Sequence, residues 1–359
     1  MFRRSLLVFP ILLVAVAPAL ASRAPVTMLL APQFREIAEV TGAVAINPRP
    51  EGLAVLGNTI RVLWTEERGS SMSLFTQAFA SDGSPLGEAL LVADGVETCD
   101  IASSSSDVAI VWSTGDAAFG SIIARDGTPR TGPLLLASDA TIPSVASDGS
   151  TFLVAWGIPA DSSTVLRGVM ARTLAADGAM GTPAEITIER GPVTQPHVAW
   201  SGWRYLVVWG LNHMMFGGAA GRFVSAAGVP LGTGVVTFAA SKYQPTPSDV
   251  ASNGEGSVVA IGGSAVRIAA DGGVAGTEGF WYDQRGHLRI AWTGERFAAV
   301  FGVRQTFAEG IVGIAAIGPR TIVSVGAKRV TVSPDEGGTP WRVVLAKATI
   351  VDRRRLAMR

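Results

Sequence analysis

One short pattern recurs six times along this chain of 359 residues. Each copy opens with a large aliphatic residue and alanine, has glycine or serine three positions after the alanine, and closes with a large apolar residue eleven positions after the first. The opening pairs are Leu53-Ala54, Ile101-Ala102, Val145-Ala146, Val198-Ala199, Val250-Ala251 and Ile290-Ala291. The closing residues are Trp64, Trp112, Trp156, Trp209, Ile261 and Phe301. A register kept without insertion predicts one structural unit used repeatedly.

The pattern is typical of a β-hairpin. Apolar residues run up to a turn such as Ser201-Gly202 or Asn253-Gly254, where glycine accepts a positive φ. The returning segment is Phe152–Trp156 in the third copy, and it is apolar without alternation. This composition predicts a strand that is buried on both faces.

A second set of turns follows the hairpins. These turns lie at Asp82-Gly83, Asp126-Gly127, Asp177-Gly178, Ala227-Gly228, Asp271-Gly272 and Ile317-Gly318, which is 235 residues in five steps, a mean of 47. Further apolar segments come after the turns, for example Ala89–Ala93, Pro133–Ala137 and Glu185–Ile188. Four strands in about 47 residues are the unit of a β-propeller blade. We therefore predict an all-β propeller, with a stacked solenoid as the alternative, although distinct capping repeats are not evident.

The two ends of the chain remain outside the six copies. The C-terminal piece offers strands at Lys328–Val332, Trp341–Leu345 and Ala348–Val351, and the N-terminal piece offers one at Val26–Leu30. We expect residues 22–47 and 327–355 to share a closing blade, which would give seven blades and remove open sheet edges. Six blades are the alternative. Residues 22–359 are thus predicted to form a single propeller domain, with clear repeats over about 48–325.

The third copy carries a family resemblance. From Pro143 to Trp156 it reads P-S-V-A-S-D-G-S-T-F-L-V-A-W. This resembles the pattern P-x-V-A-x-D-G-x-x-F/Y-L-V-x-W of secreted bacterial β-propeller repeat proteins, and the resemblance covers residues 48 to about 325. It implies the propeller architecture. Members of that family are mostly of unassigned activity, so the resemblance implies no catalytic residue.

The N-terminus has the layout of a secretory signal peptide over residues 1–21. Two arginines precede an apolar run over residues 6–20, and Ala19-Leu20-Ala21 supplies a small-x-small cleavage site. We expect cleavage before Ser22 and export to the periplasm or the cell exterior. A membrane anchor is the alternative, although two prolines interrupt a run that is short for a span.

Composition narrows the function classes. The chain has 29 basic and 29 acidic residues, and the basic ones are scattered except for Arg353-Arg354-Arg355, so a nucleic-acid partner is not expected. Cys99 is the only cysteine, which excludes an intramolecular disulfide and fits a small buried residue better than a nucleophile. Signature spacings for metal ligands and for a nucleophile elbow are absent from the sequence, and we expect no cofactor or metal.

The residue before each aliphatic–alanine pair is expected near the mouth of the central channel. In chain order these residues are Gly52, Asp100, Ser144, His197, Asp249 and Arg289. The two acids, the histidine and the arginine are candidates for binding a small polar ligand or a cation. The alternative is a set of hydrogen bonds that ties neighbouring blades together.

The loops between second and third strands, and the connections between blades, are expected on the face opposite the glycine turns. They comprise residues 64–69, 97–100, 157–161, 189–195, 211–216, 242–245 and 281–287. Their length and polarity make this loop-rich face a candidate binding surface. The candidate ligand-binding residues there are His213, Tyr243, Tyr282, Asp283, Arg285 and His287. The tyrosines would offer a stacking surface to a sugar ring, or would pack at blade junctions.

These observations favour an exported, monomeric, non-catalytic binding or scaffold protein. Its loop-rich face would bind a protein, a glycan or cell-envelope material. A glycoside hydrolase or lyase is one alternative, with carboxylates whose separation decides the question, drawn from Glu66, Glu67, Asp100, Asp161, Asp249 and Asp283. A structural element of an envelope assembly is another, and would show an apolar patch on the side of the propeller.

Overall fold

The structure is a computed structural model, and the regular structure of its described residues is β. It describes residues 26–29, 49–80, 84–115, 117–160, 166–213, 216–232, 235–241, 247–261, 264–279, 287–292, 297–302, 311–316, 321–326, 329–334 and 341–344. Across these ranges, no helix is long and apolar enough to cross a membrane.

Within each repeat, consecutive strands pair antiparallel, and the strands of one repeat are called a blade. One residue pair, Val193 with Leu211, also joins the third and fourth blades into one sheet. One strand, β1 (Val26–Leu29), precedes the repeats. The first blade comprises β2 (Arg49–Leu56), β3 (Thr59–Arg68), β4 (Ser71–Ala80) and β5 (Pro85–Asp94). The second comprises β6 (Thr98–Ser103), β7 (Asp107–Thr114), β8 (Ala117–Ala124) and β9 (Leu134–Ala137). The third comprises β10 (Thr141–Ser147), β11 (Thr151–Pro159), β12 (Leu166–Ala175) and β13 (Ala184–Val193).

The remaining strands continue this order. The fourth blade comprises β14 (His197–Trp200), β15 (Arg204–His213), β16 (Phe216–Ser225) and β17 (Val236–Ser241). The fifth comprises β18 (Pro247–Ser252), β19 (Gly256–Ile261), β20 (Ser264–Ala269) and β21 (Val274–Gly279). The sixth hairpin comprises β22 (His287–Trp292) and β23 (Phe297–Gly302). A further sheet comprises β24 (Ile311–Ala316), β25 (Thr321–Gly326), β26 (Arg329–Pro334) and β27 (Trp341–Val344).

The repeated pattern forms the same hairpin in all six copies. Each opening aliphatic residue pairs with the residue nine positions later, as Val198 does with Val207. The turn glycines among the described residues have the expected positive φ, which is +99° at Gly149 and +90° at Gly202. The predicted hairpins and their common register are confirmed.

The core consists of apolar layers between neighbouring blades. Every residue of Phe152–Trp156 is at most 2% exposed, as the unbroken apolar segment predicted. Leu153 and Ala155 pack in the layer shared with the fourth blade, whereas the three alternating residues pack in the layer shared with the second blade. Because both faces of this segment are covered, apolar side chains are favoured at every one of its positions.

The first strands of successive sheets contact one another around a closed ring. Contacts pass from β2 to β6, β10, β14, β18, β22 and β24, and from β24 back to β2. The ring and the four-stranded antiparallel sheets make the molecule the β-propeller that the sequence predicted. The number of blades in the complete chain stays a prediction, because segments between these strands lie outside the described residues.

The chain ends pair differently from the prediction. The N-terminal strand was expected in a blade shared with the C-terminal strands, but β1 pairs in parallel with β23. The strand before the turn predicted at Ile317-Gly318 is β24, and it starts the sheet that β25, β26 and β27 complete. The unpaired backbone groups at the edge of β23 can bond to any strand that lies alongside, and in this structure that strand is β1. The predicted strand at 348–351 lies outside the described residues.

Candidate functional site

Asp100, predicted at the channel mouth, joins the second blade to the third. Its Oδ1 accepts a hydrogen bond from the N–H of Ile101 at 2.8 Å, within β6. Its Oδ2 accepts from the N–H of Val145 at 2.9 Å and from the hydroxyl of Ser144 at 2.8 Å, both in β10. One carboxylate thus holds the start of its own first strand and the start of the next one.

Asp249 repeats this arrangement in the fifth blade. Its Oδ1 accepts from the N–H of Val250 at 2.9 Å, and its Oδ2 accepts from the N–H of Ile290 at 2.9 Å in β22. The two acids therefore have one structural role, which is the tie between blades considered above beside ligand binding. A ligand-binding role for either residue stays a prediction.

The other residues at this position differ in their contacts. Gly52 makes room for the second blade, since a Cβ there would lie 3.0 Å from the Cγ2 of Ile101. His197 is half-buried at the start of β14. Arg289 lies in β22, directly before Ile290, whose N–H donates to Asp249. The structure therefore distributes the four predicted ligand-binding residues of this set over first strands of the ring.

Much of the predicted loop-rich face is regular strand. Ladders continue through Arg68 in β3, Pro159 in β11, Val193 in β13 and His213 in β15. The prediction of irregular loops is wrong for these segments. Polar residues were interpreted as loop residues, but the backbone of these segments is paired in ladders.

Glu66 shows how a charged residue is accommodated in such a strand. Its buried carboxylate accepts from the indole N–H of Trp64 at 3.0 Å and from the guanidinium of Arg68 at 3.1 Å. The guanidinium also lies 4.5 Å from the centre of the Phe75 ring, which stacks on Trp64. A carboxylate that the hydrolase alternative included is thus part of the packing of the first blade.

The predicted residues on the loop-rich face are only partly described. His213 ends β15 opposite Phe216, and His287 begins β22 opposite Gly302. Four predicted ligand-binding residues and one predicted carboxylate lie outside the described residues: Tyr243, Tyr282, Asp283, Arg285 and Asp161.

The described part of the chain offers few other features of a site. Within it, groups of three or more His, Cys, Asp and Glu side chains that would hold a metal ion are absent. A cleft of about 260 Å³ lies where the first and second blades meet. It is lined by Leu91, Val92, Ala93, Asp94, Trp112, Thr114, Phe119 and Pro133, so it contains none of the predicted site residues.

Cys99 has the environment of a packing residue. It is half-buried in β6 and packs against the core layer between the first and second blades. Burial raises the pKa of its thiol well above the ordinary value, and the nearby carboxylates of Glu51 and Asp100 raise that pKa further. The thiol is therefore protonated and poorly nucleophilic at neutral pH.

We expect iodoacetamide to alkylate Cys99 at least about tenfold more slowly in the folded protein than in urea at pH 8, because the thiolate is the reacting species. Mass spectrometry over a time course measures the rate, and glutathione in the same two buffers corrects for the effect of urea on the reagent. Equal corrected rates would show that the fold leaves the pKa of this thiol unchanged.

One exposed aromatic residue was not among the predicted site residues. Trp203 is 55% exposed, the largest exposure of an aromatic side chain among those that the structure describes. It directly follows the turn glycine of the fourth hairpin. The other five copies have a small polar or acidic residue at this position: Asn58, Ser106, Ser150, Glu255 and Glu295. This departure within the repeat was visible in the sequence.

Several solved structures resemble this chain in fold. The GH93 α-L-arabinofuranosidase of Fusarium graminearum, in complex with arabinobiose, aligns with a TM-score of 0.52 and 11% identity over 80% of this chain and 90% of that chain. The β-propeller domain of the Trilobed protease from Pyrococcus furiosus aligns with a TM-score of 0.49 and 7% identity over 84% of this chain and 96% of that chain.

The chain spans about half, 53%, of the Pyrococcus horikoshii acylaminoacyl peptidase, at a TM-score of 0.48 and 10% identity over 84% of this chain. No protein-family model matches the sequence, and no curated protein matches it. At these identities the similarity shows the β-propeller fold alone, since unrelated functions share this architecture.

Proposed function

We propose that this protein is an exported, non-catalytic binding or scaffold protein whose loop-rich face holds a protein, glycan or cell-envelope partner. The observation that carries the proposal is that three candidate carboxylates are hydrogen-bonded within the protein. Asp100 and Asp249 each accept backbone amides on both oxygens, and Glu66 accepts from Trp64 and Arg68. Protein donors already occupy these oxygens, which leaves them less available to a substrate.

The hairpins on the loop-rich face support a binding role. The β3–β4 ladder continues to Arg68 and Ser71 and presents Glu67 to solvent. On the same face, Arg167 and Asp139 are exposed and form an ion pair at 3.6 Å. Polar side chains on paired strands form a surface that is ordered before a partner arrives, which lowers the entropic cost of binding. The signal peptide predicted at residues 1–21 supports a partner outside the cytoplasm.

The test is retention of a partner from solubilised cell envelope by the immobilised chain from Ser22 onward. We expect the double charge reversal Glu67→Arg with Arg167→Glu to reduce retention about tenfold or more, because like charges placed across an interface oppose binding. Quantitative mass spectrometry of the eluate measures the loss. The net charge of the protein is unchanged in this variant, so nonspecific adsorption is matched.

The control is Glu88→Arg with Arg125→Glu, which reverses two exposed charges away from the loop-rich face. Equal retention by wild type and both variants would exclude the loop-rich face as the binding surface. Release of reducing sugar from envelope glycan by the purified chain, abolished by Asp249→Asn, would overturn the non-catalytic assignment in favour of the hydrolase.

A further inference from the structure

Trp203 stands on the face of the propeller opposite the loop-rich face. It belongs to the first-to-second turn of the fourth blade, and the third-to-fourth turns lie at the same end of the blades. The polar residues of the other copies show that neither the turn nor the hairpin requires an aromatic residue here. A large apolar side chain that is 55% exposed at a position where packing does not need it points to a role in recognition.

Arg204 holds the indole of Trp203 in place. Its guanidinium carbon lies 3.9 Å from the centre of the Trp203 ring and 3.3 Å from the centre of the Phe223 ring, so the cation is stacked between two aromatic faces. The guanidinium also donates to the backbone carbonyl of Ala270 in the fifth blade. Burial lowers the pKa of Arg204, and the Asp271 carboxylate opposes that shift. The indole thus packs on the guanidinium of Arg204, and this contact orders it before a ligand binds.

Hydrogen-bonding groups lie on the turn next to that of Trp203. The hairpin turns of the fourth and fifth blades touch, since a Cβ on Gly202 would lie 3.0 Å from the Cα of Gly254. Because Trp203 and Glu255 directly follow these two glycines, the exposed indole and an exposed carboxylate come from adjoining turns. Asn253 holds the second turn rigid, with its Oδ1 accepting from the N–H groups of Glu255 at 3.0 Å and Gly256 at 2.8 Å.

We propose that Trp203 is the stacking platform of a saccharide-binding site on this face, and that its ligand is a neutral pyranose. The C–H face of a pyranose ring is flat and apolar and matches the open face of an indole, while its hydroxyl groups match the carboxylate of Glu255 and the polar atoms of the turns. The two carboxylates of Glu255 and Asp271 outnumber the one guanidinium of Arg204, which is stacked between two rings, so uronic and sialic acids are disfavoured. This site goes beyond the proposed function and does not depend on it.

A protein partner fits these observations less well. Side chains that dominate protein–protein binding lie at the centre of a well-packed patch from which water is excluded. The turn residues next to Trp203 are instead small or polar: Ser201, Gly202, Asn253 and Glu255. A flat indole face with hydrogen-bonding groups on the adjoining turn is the chemistry that a sugar ring requires.

The test is titration of the chain from Ser22 with neutral hexasaccharides of glucose, mannose and N-acetylglucosamine, followed by tryptophan fluorescence and calorimetry. We expect at least one of them to bind with a Kd of about 1 mM, as a single stacking contact would give, and Trp203→Ser to weaken that binding about tenfold or more. Serine is the residue of the second and third copies at this position, so the turn is retained. Trp203→Phe keeps an aromatic face and is expected to retain part of the affinity.

The control is Leu135→Ser, which removes another apolar side chain, 51% exposed, from β9. Unchanged affinity in Trp203→Ser, or no binding of any neutral hexasaccharide, would overturn the site. Equal affinity for hexagalacturonate would overturn its preference for neutral sugars. Retention of an envelope protein that depends on Trp203 without sugar binding would replace the saccharide with a protein partner.

The two proposals fail separately. The double charge reversal on the loop-rich face is expected to leave sugar binding unchanged, and Trp203→Ser is expected to leave partner retention by the loop-rich face unchanged.

Discussion

Gly202→Ala is expected to lower the free energy of unfolding by about 4 kcal/mol, and Gly149→Ala by about 1.5 kcal/mol. Both glycines occupy the same turn position, with φ of +90° and +99°, so both variants place a side chain in the left-handed region. Only Gly202 meets a neighbour, because its added Cβ would lie 3.0 Å from Gly254 Cα and 3.4 Å from Gly254 O, whereas Gly149 has no described atom within 4 Å. The difference between the two variants measures the contact between the fourth and fifth blades.

Urea unfolding, followed by far-UV circular dichroism and tryptophan fluorescence, gives the free energy of unfolding of the wild type and of each variant. Gly254→Ala is the matched control from the other side of the contact, since its φ is +88° and its nearest neighbour would be the carbonyl oxygen of Ser201 at 3.9 Å. It is expected to behave like Gly149→Ala. Equal losses in all three variants would mean that the neighbouring turn moves aside without cost.

Asp100→Ala and Asp249→Ala are each expected to lower the free energy of unfolding by about 3 kcal/mol, because hydrogen bonds to a charged group are worth about 1.5–3 kcal/mol and both sites are only half-buried. Each substitution removes the acceptor for one amide of its own blade and one amide of the next blade. The Asn variants keep one carbonyl oxygen and are expected to lose about half as much.

Glu67→Ala is the control for these two substitutions, since it removes an exposed carboxylate, and it is expected to change stability by less than about 0.5 kcal/mol. The same urea titrations measure all variants. A residue kept only for ligand binding would not lower stability when truncated. If Asp100→Ala and Asp249→Ala resemble Glu67→Ala, the two acids are not ties between blades and the channel mouth again becomes the first candidate for a ligand site.

The repeat could be predicted down to the pairing of individual residues. The spacing from Val198 to Val207, repeated in every copy, contains both the turn and the register, because a hairpin is a local structure whose strands are joined by two to five residues. The unbroken apolar segment at Phe152–Trp156 predicted burial on both faces for the same reason. Local spacing also predicted the turn glycines and the fourth strands.

The pairing of the chain ends could not be predicted from spacing. The partners β1 and β23 lie more than 260 residues apart in the sequence. Several strands were apolar enough to cover the same edge, and only the complete ring decides which of them reaches it. The role of Glu66 is similar, because the same residue on a polar loop would be solvated, and only the neighbouring Trp64 and Arg68 make it a packing residue.

The sequence by itself therefore determined the blade: its four strands, the register of its inner hairpin, and the apolar layers on both of its faces. Only the tertiary structure decided what Asp100 and Asp249 do at the position before each hairpin, and that Trp203 packs on an arginine while half of its side chain stays exposed. The physical reason is the range of the interactions. Periodicity and turn chemistry act between residues close in the chain, whereas the partner of a carboxylate or the exposure of an indole depends on the blade that comes to lie beside it.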